Sequence, residues 1–163
     1  MSSEDVNYYS YYNSPVGWLK IEASDKVVTA VCFCNRKDGD DDPNSLTLQT
    51  QNQLQEYFEK KRILFDLPLE LRGTVFKQKV WNELQNIPYG RAISYLELSK
   101  RIGDVKAIRA VGHANGQNPL PVIIPCHRVI GSDGSLTGYS GGLWKKKWLL
   151  QHEGILPQME LEF

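Results

Sequence analysis

A chain of 163 residues supports one ordinary domain or two small ones sharing a core. With 41% hydrophobic and 23% charged residues, and no apolar run near the ~18 residues that cross a bilayer, it reads as globular and a membrane-inserted class is excluded. The formal charge of zero is a sum of unequal parts: residues 1–71 hold seven Lys and Arg against twelve Asp and Glu, residues 72–153 twelve against five, and residues 154–163 two Glu, the asymmetry expected when one half alone meets phosphates.

The opening Met1-Ser2-Ser3-Glu4-Asp5-Val6 shows no basic segment followed by an apolar one, so the expectation is an intracellular protein. Cys32, Cys34 and Cys126 are odd in number and lack C-x-x-C spacing, which encodes neither a disulfide framework nor a zinc finger and leaves the thiols reduced. Tyr8 to Tyr12, Trp18 to Glu22 and Val27 to Phe33 carry strand character between Pro15-Val16-Gly17 and Ser24-Asp25, predicting a small antiparallel meander. Cys32 and Cys34 alternate on the third strand and are expected to face the same buried side. The run Asp38-Gly39-Asp40-Asp41-Asp42-Pro43 lacks the downstream Glu of a calcium loop and reads as a solvated connection. Leu46, Leu54, Tyr57 and Phe58 then fall at helical spacing, predicting a helix that covers the sheet. Pro68 interrupts regular structure where the charge balance changes sign, which divides the chain into residues 1–68 and 69–163.

The second half reads as helices. Thr74 can cap a helix carrying Phe76, Val80, Trp81 and Leu84 that ends before Pro88-Tyr89-Gly90. Ser94-Tyr95-Leu96-Glu97 has the form of a capping box, and that helix stops at Gly103. Asp104 opens another over Val105 to Asn115, closed by Gly116 and Asn118-Pro119, and so tight a junction suggests helix-turn-helix. At ~100° per residue, Lys106, Arg109 and His113 share one sector while Ile108 and Val111 point away as core. Ala107, Ala110 and Ala114 would let the backbone approach a groove wall; an amphipathic surface helix with Ala chosen for propensity is the reading the pattern alone favours.

Val122-Ile123-Ile124 has a buried-strand pattern and leads into Pro125-Cys126-His127-Arg128-Val129. Only a thiolate attacks carbon well, so a base beside a thiol is suggestive. On a strand, however, adjacent side chains point to opposite faces, and direct proton transfer from Cys126 to His127 would need a bend, which Pro125 can supply, or a bridging water. A structural cysteine followed by a surface histidine remains the alternative. Gly131-Ser132-Asp133-Gly134 and Gly138-Tyr139-Ser140-Gly141-Gly142 suit a turn and a pocket wall. A helix from Trp144 to His152 then carries Lys145-Lys146-Lys147 in its first turn and Glu153 at its end. Both placements oppose the macrodipole: the lysines could meet phosphate and Glu153 could hold a histidine, or the helix is simply solvated.

Arg109-Ala110-Val111-Gly112, Asn118-Pro119, Ile124-Pro125-Cys126-His127-Arg128-Val129, Gly138-Tyr139-Ser140-Gly141-Gly142 and Trp148-Leu149-Leu150-x-His152-Glu153-Gly154 together resemble the O6-alkylguanine-DNA alkyltransferases, also called methylated-DNA-protein-cysteine methyltransferases. The resemblance is strong from Gly73 to Gly154 and loose before Pro68. It implies an α+β protein: a small N-terminal antiparallel sheet domain with a covering helix, and a mainly helical C-terminal domain holding a helix-turn-helix and the reactive cysteine.

The resemblance further implies double-stranded DNA containing O6-alkylguanine as partner, bound from the minor-groove side by a protein that is a monomer when free, with Arg109 entering the duplex as the lesion swings out. Lys106, Ala110, Gly112, His113 and Arg128 complete the implied DNA face. Cys126 attacks the alkyl carbon as an ionised sulfur, His127 acts through a water and is oriented by Glu153, and Asn118 ties the recognition helix to the reactive segment. Tyr95 donates to the guanine ring, Ser140 lies near the departing oxygen, the Val129 carbonyl near the exocyclic amine, and Tyr139 and Lys146 by the base. These donors answer the poor leaving group that a guanine anion makes. The thioether is stable, so each molecule acts once, on O6-alkylguanine and on O4-alkylthymine, without metal or cofactor. Asn115 stands where one branch has Met, and Lys147 where Glu is common; both bear on alkyl-group preference and DNA affinity. Two rival functions are a lesion-binding protein that transfers nothing, which the presence of Cys126 opposes, and a Cys-His hydrolase, which requires an oxyanion hole and turnover.

Overall fold

A computed structural model describes residues 7–35, 37, 39–139 and 141–156. The chain forms two compact units, Met1–Arg72 and Gly73–Phe163. The opening segment read for a targeting signal and Asp38 of the acidic run lie outside the described residues.

In the first unit β1 (Tyr8–Ser14), β2 (Gly17–Ala23) and β3 (Val28–Cys34) make an antiparallel meander in the order β1-β2-β3, as the strand segments between turn residues predict. Ser14 builds the first turn: its Oγ donates to the Gly17 carbonyl at 2.7 Å and accepts from Val16 N at 3.1 Å. Leu19, Ile21 and Ala23 of β2 are fully buried. The same register corrects the expectation for the two cysteines. Val31 and Phe33 stand opposite Ile21 and Leu19 on the inner face, so Cys32 and Cys34 fall opposite Lys20 and Trp18 on the outer one; Cys32 is exposed and Cys34 half-buried.

α1 (Ser45–Phe58) covers the sheet with Leu46, Leu54, Tyr57 and Phe58, as predicted. Its start is fixed by Asn44. The Asn44 carboxamide accepts from Thr47 N at 2.8 Å, Thr47 Oγ1 accepts from Asn44 N at 3.0 Å, and Asn44 Nδ2 donates to the Ser24 carbonyl at 3.0 Å. Such a cap is worth about 1 kcal/mol and ties the helix to the β2–β3 turn. Beyond the helix, the Pro68 carbonyl accepts from Val28 N at 2.8 Å and Glu70 N donates to the Val28 carbonyl at 3.1 Å, laying Leu69 along β3.

In the second unit α2 (Val75–Leu84) begins at Thr74, whose Oγ1 accepts from Lys77 N at 3.1 Å. It buries Val80, Trp81 and Leu84. β4 (Ile93–Ser94) pairs in parallel with β5 (Val129–Ile130). α3 (Tyr95–Ile102) starts on Ser94, which accepts from Glu97 N at 3.0 Å, and stops at Gly103 in the left-handed region at φ 96°. The Glu97 carboxylate reaches forward to Arg101 Nε at 3.2 Å rather than back to the cap.

The helix predicted over Val105 to Asn115 breaks in two. Asp104 Oδ1 caps Lys106 N at 3.1 Å, Val105–Ala107 forms a 3₁₀ turn, and α4 (Ile108–Gly116) follows. The change from three residues per turn to 3.6 rotates Ile108 out of the expected core position: it is 38% exposed, while Val111 is fully buried. Trp81 Nε1 donates to the Ala114 carbonyl at 2.8 Å, joining α2 to α4. Val122-Ile123-Ile124 is buried but is a tight turn, not a strand. Ile124 N donates to the Leu120 carbonyl at 2.8 Å, and Val122 takes φ 74°, a strained value for a β-branched residue. α5 (Leu143–His152) closes the unit. Among the described residues no helix is long and apolar enough to cross a membrane.

Candidate active site

The reactive segment is shaped by Asn118 and Pro125. Asn118 Oδ1 accepts from Leu120 N at 2.9 Å and its Nδ2 donates to the Ile124 carbonyl at 2.7 Å, which folds residues 120–124 back on themselves. Pro125, at φ −80° and ψ 63°, makes an inverse γ-turn in which Cys126 N donates to the Ile124 carbonyl at 2.8 Å. Cys126–Arg128 is therefore a 3₁₀ turn, not the strand on which neighbouring side chains oppose each other. Its side chains fan out at about 120° per residue.

Cys126 is 4% exposed. Burial pushes its thiol up to about 11, and the Asn118 hydrogen bond and the Lys146 charge pull the other way without offsetting it. The expected ionised sulfur is thus a protonated thiol at rest, because desolvation outweighs its polar neighbours.

His127 is fully buried and its Nε2 lies 2.8 Å from Glu153 Oε2. Burial lowers its pKa, against the hydrogen bond and charge of Glu153, so the ring is neutral near pH 7. Nε2–H then donates to the carboxylate and Nδ1 presents a lone pair. Nδ1 is buried and finds no hydrogen-bond partner among the described residues. Glu153 itself follows α5. Burial alone would raise its carboxyl, but His127 and then Arg128 hold it well below the usual carboxylate range.

Arg128 corrects an expectation. Placed at the DNA face by resemblance, it is 6% exposed. Its Nε and Nη2 donate to Glu153 at 2.8 and 3.0 Å, its Nη1 donates to the Ile87 carbonyl at 2.7 Å, and its guanidinium lies 5.7 Å from the Tyr89 ring centroid. The Glu153 carboxylate, buried at a helix C-terminus where an anion is disfavoured, requires this cation. Gly90 N also donates to the carboxylate, at 3.2 Å. Sequence reading missed this clamp; the signal available was the arginine following Cys-His.

A second cluster gathers on the Thr137 carbonyl. Tyr95, the first residue of α3, donates its hydroxyl to it at 3.1 Å, and Lys146 Nζ donates to it at 2.7 Å and to the Tyr95 hydroxyl at 3.4 Å. Lys146 is fully buried and Lys145 nearly so, so the reading of the lysine run as a phosphate contact fails for both; Lys147 alone is exposed. Val129 is buried in β5. Tyr139 is buried, and burial, then the charges of Cys126 and Glu153, raise its phenol well above the usual value. Ser140 lies outside the described residues.

A cleft of about 420 Å³ is lined by Gly112, His113, Gly116 and Gln117 of the α4 region with Gly138 and Tyr139 opposite. The Gly112 position is where α4 meets α3: a Cβ there would touch the Tyr95 ring at 3.7 Å. Lys106, Arg109, Ala110 and His113 are exposed on the 3₁₀ turn and α4. Asn115, which the sequence tied only to alkyl-group preference and DNA affinity, is 1% exposed and donates from Nδ2 to the Cys126 carbonyl at 3.3 Å.

Two family models match the chain: the ribonuclease-like domain of 6-O-methylguanine DNA methyltransferase over residues 7–71 and its DNA binding domain over residues 75–155. The chain is 41% identical to the methylated-DNA--protein-cysteine methyltransferase of Methanosarcina acetivorans, covering 90% of this chain and 98% of that one. It is 40% identical to the constitutive methyltransferase of Bacillus subtilis, covering 92% and 97%. Mycobacterium tuberculosis OGT crystallised in complex with DNA has TM-score 0.82 and 41% identity, over 89% of this chain and 91% of that one. The α+β architecture expected from sequence is shared with these structures. With matches running through both units, the chain belongs to the methylated-DNA-protein-cysteine methyltransferase family.

Proposed function

We propose that this chain repairs DNA by transferring the alkyl group of O6-alkylguanine, and of O4-alkylthymine, irreversibly to its own Cys126. One observation carries the reading: the buried cysteine among the chain's three adjoins a histidine whose outer nitrogen is held by a carboxylate that an arginine clamps from the other side.

At pH 7 a thiol held near pKa 11 is ionised in roughly one molecule in 10⁴. The proton must therefore leave as the attack proceeds. Neutral His127 accepts it at Nδ1 through a bridging water, and Glu153, kept anionic by Arg128, stabilises the imidazolium. The sulfur forms a bond to the alkyl carbon, the bond from that carbon to O6 breaks, and the electron pair passes to the base. Tyr95 hands its hydroxyl hydrogen from the Thr137 carbonyl to the guanine ring, with Lys146 beside it and Ser140 near O6, so charge is taken up where it develops. The Val129 carbonyl reads the exocyclic amine, and Tyr139 walls the pocket. Asn118 couples α4 to the reactive turn through its two bonds. No second nucleophile regenerates the thiol, so the reaction is single-turnover.

The duplex docks through its minor groove on α4. Arg109 enters the stack, Lys106 and His113 meet the backbone, and Ala110 and Gly112 permit close approach. The base leaves the helix for the cleft. Residues 69–163 thus hold the DNA-binding and alkyl-acceptor functions. The protein acts as a monomer when free, in the compartment that holds the DNA: the cytoplasm of a prokaryote or the nucleus of a eukaryote.

Intact-mass measurement after mixing with an O6-methylguanine duplex tests the reading. Gain of one methyl per chain is the expected result. Tight binding at unchanged mass would make the protein a lesion binder, and repeated cleavage of an ester would make it a hydrolase.

A further inference from the structure

Two buried polar atoms beside Cys126 have no hydrogen-bond partner among the described residues: His127 Nδ1 and Asn115 Oδ1. The orientation of the Asn115 amide is set by its other end. Nδ2 donates to the Cys126 carbonyl at 3.3 Å, and a flipped amide would press Oδ1 against that carbonyl oxygen. Oδ1 is therefore an acceptor. His127 Nδ1 is an acceptor too, because Nε2 gives its hydrogen to the Glu153 carboxylate. Both are anchored to the same short stretch of backbone: Asn115 holds the carbonyl of Cys126, and His127 is the next residue.

Two buried acceptors held on the Cys126 turn, next to a residue whose thiol is protonated, are complementary to one molecule with two hydrogens to give and a lone pair to receive. We propose that Asn115 is a positioning residue of the proton path, its Oδ1 and His127 Nδ1 together holding the water that takes the Cys126 proton. This rests on the reaction proposed above and adds a residue to it. The step balances: the thiol proton passes to the water, a water proton passes to Nδ1, and a neutral thiol and neutral imidazole become a thiolate and an imidazolium with the water restored. The thiolate electron pair then forms the bond to carbon, and the pair of the breaking C–O bond stays on guanine. With only Nδ1 to hold it, the water would turn freely and the thiol hydrogen would have no fixed acceptor.

The test is the pH profile of single-turnover methyl transfer from an O6-methylguanine duplex, from about pH 6 to about pH 10, for the wild-type chain and Asn115→Leu. The wild-type rate is expected to be nearly flat across neutral pH, because His127 is already neutral there. Asn115→Leu is expected to be about 10-fold slower or more near pH 7 and to climb about 10-fold per pH unit, since only preformed thiolate then reacts. Asn115→Ala is read the same way if the leucine variant does not fold. A variant that reacts at the wild-type rate, or that slows while keeping the wild-type profile, would overturn the proposal. Absence of transfer by the wild-type chain would instead overturn the reaction on which it rests.

Discussion

Replacing Glu153 by Gln tests the clamp at the centre of the site. Four groups among the described residues donate to the carboxylate: Gly90 N and Arg128 Nε at Oε1, and Arg128 Nη2 and His127 Nε2 at Oε2. An amide turns one of those oxygens into an NH₂: facing Gly90 N and Arg128 Nε it loses two hydrogen bonds, and facing Arg128 Nη2 and His127 Nε2 it loses one, because the ring can move its proton to Nδ1 and accept from the NH₂. At about 1.5–3 kcal/mol each for bonds to a charged group, the loss is about 1.5–6 kcal/mol. That agrees with the about 3–5 kcal/mol for stranding one partner of a buried ion pair. Solvent does not screen it, because the side chains of Glu153 and Arg128 are 0% and 7% exposed. For a chain of this size, the melting temperature of Glu153→Gln should fall by roughly 6–20 °C. With NH₂ toward His127, the ring must carry its proton on Nδ1 and cannot accept another. Single-turnover transfer measured by rapid quench should slow by about 10²–10⁴. A variant that melts within about 2 °C of wild type and transfers methyl at the wild-type rate would refute the reasoning.

The Cys126 thiol, raised from 9.0 to about 11 in the fold, keeps its proton between those pH values while the unfolded chain releases it. Stability should therefore be intact below about pH 9 and decline by about 3 kcal/mol as pH rises to about 11. Urea unfolding of wild type against Cys126→Ala reads this, and equal alkaline losses in the two would contradict it. Glu153 has the opposite sign: its depressed pKa contributes stability above the unfolded value of about 4.3, lost as pH falls below it. Acid unfolding of Glu153→Gln should accordingly be flatter than that of wild type. Arg109 is exposed, so Arg109→Ala should change stability by less than about 0.5 kcal/mol. It should slow repair of duplex DNA while leaving reaction with the free modified base near wild type; an equal loss on both substrates would remove the finger role.

Much of the fold was legible because local chemistry determined it. Strand-forming segments between turn residues marked β1 to β3, Thr74 and Ser94 marked two helix starts, and Gly103 marked a stop that the fold makes in the left-handed region. What escaped the sequence depended on contacts between distant residues. Cys32 faces outward because Val31 and Phe33 were already opposite the apolar positions of β2, a matter of register and not of hydrophobicity. Ile108 is exposed because Asp104 tightens the first turn before α4. The reactive residues were nameable from their motif, but their geometry was not. An apolar Val122-Ile123-Ile124 reads as a strand, and the Asn118 side chain instead turns it back. Arg128 reads as a surface cation until Glu153, 25 residues away, takes it.

The most direct measurement is the site of the label. After an equimolar reaction with an O6-methylguanine duplex, tandem mass spectrometry of the digested protein should find S-methylcysteine at Cys126, with Cys32 and Cys34 unmodified and no transfer to Cys126→Ser. Methyl on either outer cysteine, or on the Cys126→Ser protein, would contradict the assignment.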